Sequence, residues 1–561
     1  MDGVLATGTE LRHTRFGAQL SIPVLLLSIC LAAQLYLVLF KSFNWDEFLH
    51  YNQLLKLRAG TFDEPFQSVH LRLLWWAPDV AANLIDQMRA ARIFVWGVHL
   101  VTLIMIYGVA RQFTNAANAF FAAFAYMGAG YVFTQAFSIR HDPFVTAVLM
   151  SSLFLMAKAQ LTLFKSICVG VLIGLAGIMS FKAMFYAPCF AGLAWLRLRE
   201  TPSKPQLLAK LVVISVAGAL SFAVIYLWHT SGFPHTVAAT PLAHTGQRPS
   251  FIPLMLRWIT IDLPFVRFVL VEIALAPLFF LCAVLAPLAW TRVGLRGDAK
   301  LALAGFLAPL ASLVFYRNTF PYYFEFVLAP PAVAIAPALG IVRERYGNAF
   351  LSLVLSAVPL AMTVLEPRDM IKRQRALIDY VHREFPKKTG YLDYSSMIAD
   401  YPRILTVLTS GNGIRYYYEA RDPIVGREID RGKVAFVIAN QEVIQAALSG
   451  HPFPGTFLPD DMAAISGNYV QQWGVLWREG VLIPAGSGAF RFELRRDGDF
   501  VLAGAPLTID GATVAAGSII ALSRGPHLVS GERNSPVTLW RGNRLPTTPP
   551  NIPMDRVFTN F

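Results

Sequence analysis

"LSIPVLLLSICLAAQLYLVLFKSFNWDEFLHYNQLLKL", residues 20–57, sets an apolar run of membrane length directly before two carboxylates, Asp46 and Glu47. Spanning a hydrocarbon core takes about 20 apolar residues, and 20–40 supplies them. Arg12 and Arg15 precede the run, which is long for a signal peptide and lacks a small-residue cleavage site. It reads as a retained first membrane helix. Charge so near a bilayer is costly unless it is solvated, paired or used. Which of these applies depends on the rest of the chain.

With 55% hydrophobic residues in 561 and a mean hydropathy of +0.49, the chain is too apolar for a soluble enzyme. The net charge of +13 comes with no basic stripe or nucleic-acid motif. In a membrane protein, excess Lys and Arg read as topology signals and headgroup contacts. Cys30, Cys168, Cys189 and Cys282 all fall in apolar runs, without zinc-site spacing or a disulfide framework.

About eleven spans follow from the apolar runs, near 20–40, 92–110, 116–136, 143–163, 166–181, 184–198, 206–228, 265–290, 300–316, 323–342 and 348–365. One set of loops is basic and acid-poor: Arg12 and Arg15, Lys165, "RLRETPSKP", "TRVGLRGDAK" and "VRERYG". That set is expected in the cytoplasm, and an odd span count then puts 366–561 outside. The expected layout is a membrane domain over 1–365, an α/β subdomain over 366–485 and a β-rich subdomain over 486–561. "GYLDYSS", "RILTVLTS" and "KVAFVIAN" read as buried strands near a helical "EVIQAALSG". "AFRFELRRDGDFVLAG" reads as a hairpin around Asp497-Gly498, and "RLPTTPPNIPMD" as an extended proline-rich strap.

Four outer stretches carry candidate chemistry, each beside an ordinary structural explanation. "NWDEFLHYNQLLKLRAG" has the period of a short amphipathic helix at the membrane surface, and Asn44 with Glu47 fits a capping box. Asp46 is not needed for that cap; it could be solvated at the helix N-terminus. In "SIRHDPF", Asp142 before Pro143 could cap the next span, with Arg140 an interfacial anchor. Lys182 in "GLAGIMSFKAMFYAP" could snorkel to the headgroups. Tyr322 and Tyr323 in "YRNTFPYYFEFVLAPP" could belong to an aromatic belt.

Taken in order and on one side, these stretches resemble the polyprenyl-phosphate-dependent glycosyltransferases of the C-type fold, with the protein O-mannosyltransferases and bacterial aminoarabinose transferases as the nearest parallels. The resemblance covers roughly residues 20 to 345. "NWDE" occupies the place of that family's first-loop acidic pattern, "SIRHDPF" that of an Arg followed by an acidic residue, and Lys182 that of a Lys after a Gly-rich helix end. It implies a polytopic α-helical membrane protein of C-type fold carrying an extracytoplasmic α/β plus β-rich domain, in a bacterial inner membrane with its active site on the periplasmic side. The implied activity is inverting transfer of a sugar from a polyprenyl-phosphate donor to a lipid, glycan or protein acceptor.

Such a reaction builds negative charge on a leaving phosphate, which fixed cations stabilise, arginine through paired hydrogen bonds. Arg140, Lys182 and Arg317 are the candidates, with Tyr322 and Tyr323 beside them. The acceptor hydroxyl needs a base: Asp46 first, with Asp142 positioning the acceptor or sharing the role, and Glu47 as the neighbouring carboxylate. A single displacement needs no covalent nucleophile, and a basic phosphate clamp needs no metal or other cofactor. His50 lies one helical turn beyond Asp46, without a third ligand in view. The competing readings are a lipid or glycan flippase, which calls for ionisable residues near mid-membrane and interrupted helices, and a non-catalytic assembly subunit.

Overall fold

The computed structural model describes residues 12–158, 161–233, 266–404, 417–451 and 457–558, with 12–20 described by their backbone alone. The chain divides into two compact units: the first takes in the described residues of 12–41, 56–233 and 266–366, the second those of 42–55 and 367–558.

The first unit is helical. Among the described residues, six helices are long and apolar enough to cross a membrane: Ser21–Phe40, Leu84–Ala110, Lys204–Thr230, Gly297–Phe315, Tyr323–Tyr346 and Asn348–Leu365. Shorter apolar helices run over Ala116–Met127, His141–Ala157 and Leu163–Met179. This is an integral membrane protein, and one helix shows how its surface is solvated. On Lys204–Thr230 the residues Leu208, Val212, Val216, Leu220, Val224 and Leu227 recur every three or four positions and are 52–65% exposed. An apolar stripe that open suits hydrocarbon and not water. The opposite side of the helix packs closely on Leu163–Met179, where Gly170 and Gly174 stand one turn apart. A Cβ on Gly170 would sit 2.5 Å from the Ile214 carbonyl oxygen, so only the missing side chain permits this approach.

Two expected spans are interrupted. The run 265–290 forms Val266–Leu275 and Pro277–Arg292, bent by 93° at Ala276. Proline at 277 drives the preceding residue out of helical geometry, and Ala276 has φ −129° and ψ 51°. The run 116–136 stops at Gly128 and resumes as the short helix Gly130–Gln135.

Tyr323–Tyr346 is the central pillar. Every residue from Tyr323 to Gly340 is buried, with three prolines inside. Pro330 has no N–H for the Phe326 carbonyl one turn back, and the Tyr186 hydroxyl donates to that oxygen at 2.7 Å. Side chains of neighbouring helices thus satisfy a backbone that proline leaves open.

The second unit takes in the first-loop helix, Trp45–Arg58, as far as Leu55. On this helix Phe48, Tyr51 and Leu54 are fully buried, and the Phe48 ring stands edge-on to Phe558 at 5.9 Å. The Gln374 side chain bonds both the N–H and the carbonyl of Phe43, and Asn52 donates to the Ala399 carbonyl at 2.7 Å.

Eleven short strands follow among the described residues: β1 Tyr391–Leu392, β2 Phe436–Ile438, β3 Tyr469–Trp473, β4 Leu476–Ile483, β5 Phe490–Leu494, β6 Gly498–Ala503, β7 Leu507–Ile509, β8 Ala512–Val514, β9 Ile519–Leu522, β10 Gly525–Ser530 and β11 Val537–Arg541. β1 and β2 pair in parallel, flanked by the helices Ile424–Asp430, Glu442–Leu448 and Pro459–Ser466. Most of the expected strand "RILTVLTS" lies outside the described residues. One sheet runs β1-β2-β4-β11-β6-β9 with β3 also on β4, and a second runs β5-β10-β7-β8.

The expected hairpin around Asp497-Gly498 is a crossing between those sheets. β5 pairs β10, whereas β6 pairs β11 and β9. Alternation alone cannot tell a hairpin from a corner, because inward-facing Phe492 and Phe500 pack on one shared core either way. The strap 544–555 is extended: Thr547 N–H donates to Glu384 at 3.1 Å, and Arg373 pairs with Asp555 at 2.7 Å.

Candidate active site

The helix His141–Ala157 places the second-loop residues. Arg140 is its N-cap, with no side-chain capping bond, and Asp142 stands in the first turn. Asp142 is therefore not the cap that Asp-Pro suggests. Its carboxylate is engaged by cations: Arg140 Nε lies 3.3 Å from Oδ2, and Lys182 Nζ pairs with Oδ1. Lys182 sits in the 3₁₀ turn Phe181–Tyr186, which follows the helix Leu163–Met179. At 3% exposure it does not snorkel; Asp142 is 1% and Arg140 5% exposed. Three charges taken this far out of water must satisfy one another.

Aromatic residues from the start of the central pillar close the cluster. The Arg140 guanidinium carbon lies 3.4 Å from the Tyr322 ring centroid, and Lys182 Nζ lies 5.5 Å from the ring centroids of both Tyr322 and Tyr323. Tyr323 is fully buried and its hydroxyl meets Ser312 Oγ at 2.6 Å, which is no belt position. Arg317 is half-buried in the turn between Tyr316 and Tyr322, and the Tyr316 ring lies 4.8 Å from that of Tyr323.

The structure adds residues to this set. Glu325, 1% exposed, has its carboxyl 3.2 Å from Thr146 Oγ1, and the Tyr126 hydroxyl donates to the Glu325 backbone carbonyl at 2.7 Å. Thr146 donates to the Asp142 carbonyl at 2.9 Å, so a second carboxyl group lies against the first turns of the Asp142 helix. One signal for it stood in the sequence: Glu325 is the lone carboxylate of an apolar run, where an ionisable group calls for a role. His141 Nε2 lies 3.7 Å from Asp142, and its ring lies 5.8 Å from that of His70. Nothing in the sequence joins His70 to this group, because the contact depends on how two separate loops pack.

Asp46 and Glu47 belong to the second unit. Glu47 is fully buried and forms the capping box: its N–H donates to Asn44 Oδ1 at 3.0 Å, and the Asn44 N–H donates to Glu47 Oε2 at 3.1 Å. Asp46 is half-buried, one residue before it. Trp45 sets its ring edge-on to Tyr394 at 6.2 Å and to Phe558 at 6.4 Å. Burial pushes the Tyr394 hydroxyl above the usual tyrosine range, and the nearby Asp46 charge adds to that while Arg403 opposes it. Among the described residues no three His, Cys, Asp or Glu side chains converge as a metal site would require.

No protein-family model matches the sequence, and no curated protein matches it. Solved structures do. ArnT from Cupriavidus metallidurans bound to undecaprenyl phosphate aligns at 13% identity and a TM-score of 0.50, over 68% of this chain and 85% of that one. The oligosaccharyltransferase of Archaeoglobus fulgidus in its apo form aligns at 12% identity and a TM-score of 0.47, over 90% and 76%. The first likeness shows the fold: this chain has the C-type glycosyltransferase fold, followed by a β-rich C-terminal region.

Proposed function

We propose that the protein is an inverting glycosyltransferase that takes a sugar from a polyprenyl-phosphate donor and passes it to an extracytoplasmic hydroxyl acceptor. The observation that carries this reading is the buried Arg140–Asp142–Lys182 cluster on a C-type fold. Two cations held by one carboxylate are pre-positioned, and a phosphate can take over part of that pairing without drawing new charge into the apolar interior. Asp142 then acts as the counter-ion that keeps Arg140 and Lys182 in place when no donor is bound. Arg317, Tyr322 and Tyr323 complete the donor side, with Tyr322 fixing the guanidinium plane.

In the reaction, the acceptor oxygen forms its bond to the anomeric carbon while the bond from that carbon to the phosphate oxygen breaks. The acceptor proton passes to Asp46, and the electron pair leaves on the polyprenyl phosphate, where Arg140 and Lys182 meet the charge. Glu47 is fully buried in the capping box and Asp46 is half-buried beside it, so Asp46 is the carboxylate assigned as base. Single displacement inverts the anomeric centre. The membrane is a bacterial inner membrane, and the site and tail face the periplasm. Basic loops such as "RLRETPSKP" on the opposite side support that orientation.

The experiment is transfer from a radiolabelled polyprenyl-phosphate sugar by the purified protein in nanodiscs, with the anomeric configuration of the product read by NMR. Release of the lipid phosphate with an inverted product is expected; a retained configuration overturns single displacement. Lipid transport is the second reading, favoured by the bend at Ala276 and by Glu272, which is fully buried just before it. Movement of the labelled lipid between leaflets, with its sugar still attached, would select that reading.

A further inference from the structure

Within the second unit, a cleft of about 810 Å³ opens between the C-terminal end of the helix Pro459–Ser466, β3, β4, β5 and β11. No step of the proposed transfer uses it. Its size lies within the range of about 300–1,000 Å³ that small-molecule sites occupy.

The lining mixes flat aromatic groups with hydrogen-bonding ones. Phe490 and Trp540 supply rings; Asn468 and Thr538 supply an amide and a hydroxyl. β4 and β11 pair Gly480 with Trp540 and Leu482 with Thr538, so these four residues share one face of the sheet. Leu482 is 53% exposed on that face, which leaves the cleft open to solvent. The charge is balanced. Arg495 is held in a two-point pair by Asp430, at 2.6 and 2.9 Å, with Glu493 close by. A site of this kind has no net attraction for an anion such as phosphate.

We infer that this cleft is a carbohydrate-binding site for a neutral oligosaccharide, separate from the site of transfer. Sugar rings present apolar C–H faces that lie on indole and phenyl planes, and their equatorial hydroxyls pair with amide, hydroxyl and carboxylate groups. The same neutrality that disfavours phosphate leaves a polyhydroxylated ligand without a desolvation penalty for net charge. The choice of a glycan over a peptide follows the transferase reading, since an enzyme that extends or decorates glycans gains from holding its acceptor or product by a second point.

The test uses the full-length protein in nanodiscs on an array of neutral, acidic and basic oligosaccharides, with affinity then measured by tryptophan fluorescence. Neutral members should bind, and Leu482→Arg should weaken them at least about tenfold, because it puts bulk and charge on the open face. Leu482 is exposed, so the variant should keep the wild-type unfolding temperature. Binding is read with no polyprenyl-phosphate donor present, so failure of this site is distinguished from failure of the transfer mechanism. The inference is overturned if no oligosaccharide binds, if only acidic ones do, if extended peptides bind in their place, or if Leu482→Arg leaves affinity unaltered.

Discussion

Asp46 and Asp142 occupy similar places in the sequence, each in an outer loop beside an apolar helix, yet the two regions treat them in opposite ways. Asp142 is buried in the helical unit between Lys182 and Arg140. Asp46 is half-buried in the tail unit, on a short helix whose capping work is done by Glu47. A carboxylate committed to two cations is a poor proton acceptor but a firm counter-ion. A half-buried carboxylate keeps the contact with water that a buried one gives up. Helix position and loop order do not distinguish these roles; partners do.

The comparison breaks most severely at Asp142. Asp142→Ala leaves Arg140 and Lys182 buried without their carboxylate, and the fold should lose about 3–5 kcal/mol. Thermal unfolding in detergent measures this, and Asp142→Asn provides a milder version if the alanine variant does not accumulate. An unchanged unfolding temperature in both would mean that the cluster does not hold the helices.

Asp46→Asn should do the reverse. Turnover should fall about a hundred- to ten-thousand-fold, while unfolding stays at the wild-type temperature. Near-normal turnover would remove Asp46 as the base. Glu47→Gln should be milder, since glutamine can still complete a capping box.

Arg140→Ala and Lys182→Ala sharpen the donor side. Each removes a charge-assisted hydrogen bond of about 1.5–3 kcal/mol, so polyprenyl-phosphate binding should weaken about tenfold or more. Direct lipid binding in nanodiscs reads this. Equal affinity in both variants would reduce the pair to a structural role.

The smallest effect is expected in the tail, where ion pairs meet water. His527 and the Leu528 N–H bond Asp510 and hold its carboxyl below the usual range. A depressed carboxylate stabilises above its unfolded pKa and loses that contribution as pH falls through its folded value. Asp510→Asn should therefore lower the unfolding temperature slightly at neutral pH, with the gap closing once pH falls below the ordinary carboxylate range. A gap that persists there would point to lost packing.

Much of the fold is legible in the sequence. Apolar run length marks membrane helices because the bilayer demands about 20 residues of them. The motif order around "NWDE", "SIRHDPF" and Lys182 pointed to the C-type fold. The partnerships inside the site were harder to read. Asp-Pro is a good helix start anywhere, so nothing local shows that Asp142 gives up the cap for Lys182, forty residues on. The bend at Ala276 follows from Pro277 once a helix is placed there, but hydropathy alone reads straight through it. β5 and β6 carry a sound hairpin pattern and still end in different sheets, since both face one core.

By itself, the sequence determined the solvent this protein lives in, because lipid and water select composition directly along each segment. It also determined which residue types border the membrane and the capping box at Asn44 and Glu47, a contact only three residues apart. Tertiary structure alone decided that Glu325 lies against Thr146 of the Asp142 helix, that Phe43 and Asn52 bond Gln374 and Ala399 more than three hundred residues on, and that one sheet runs from β1 through to β9. Each of these joins residues far apart in the chain. Local propensity carries no information about such pairs, and burial settles them only when every competing partner is in place.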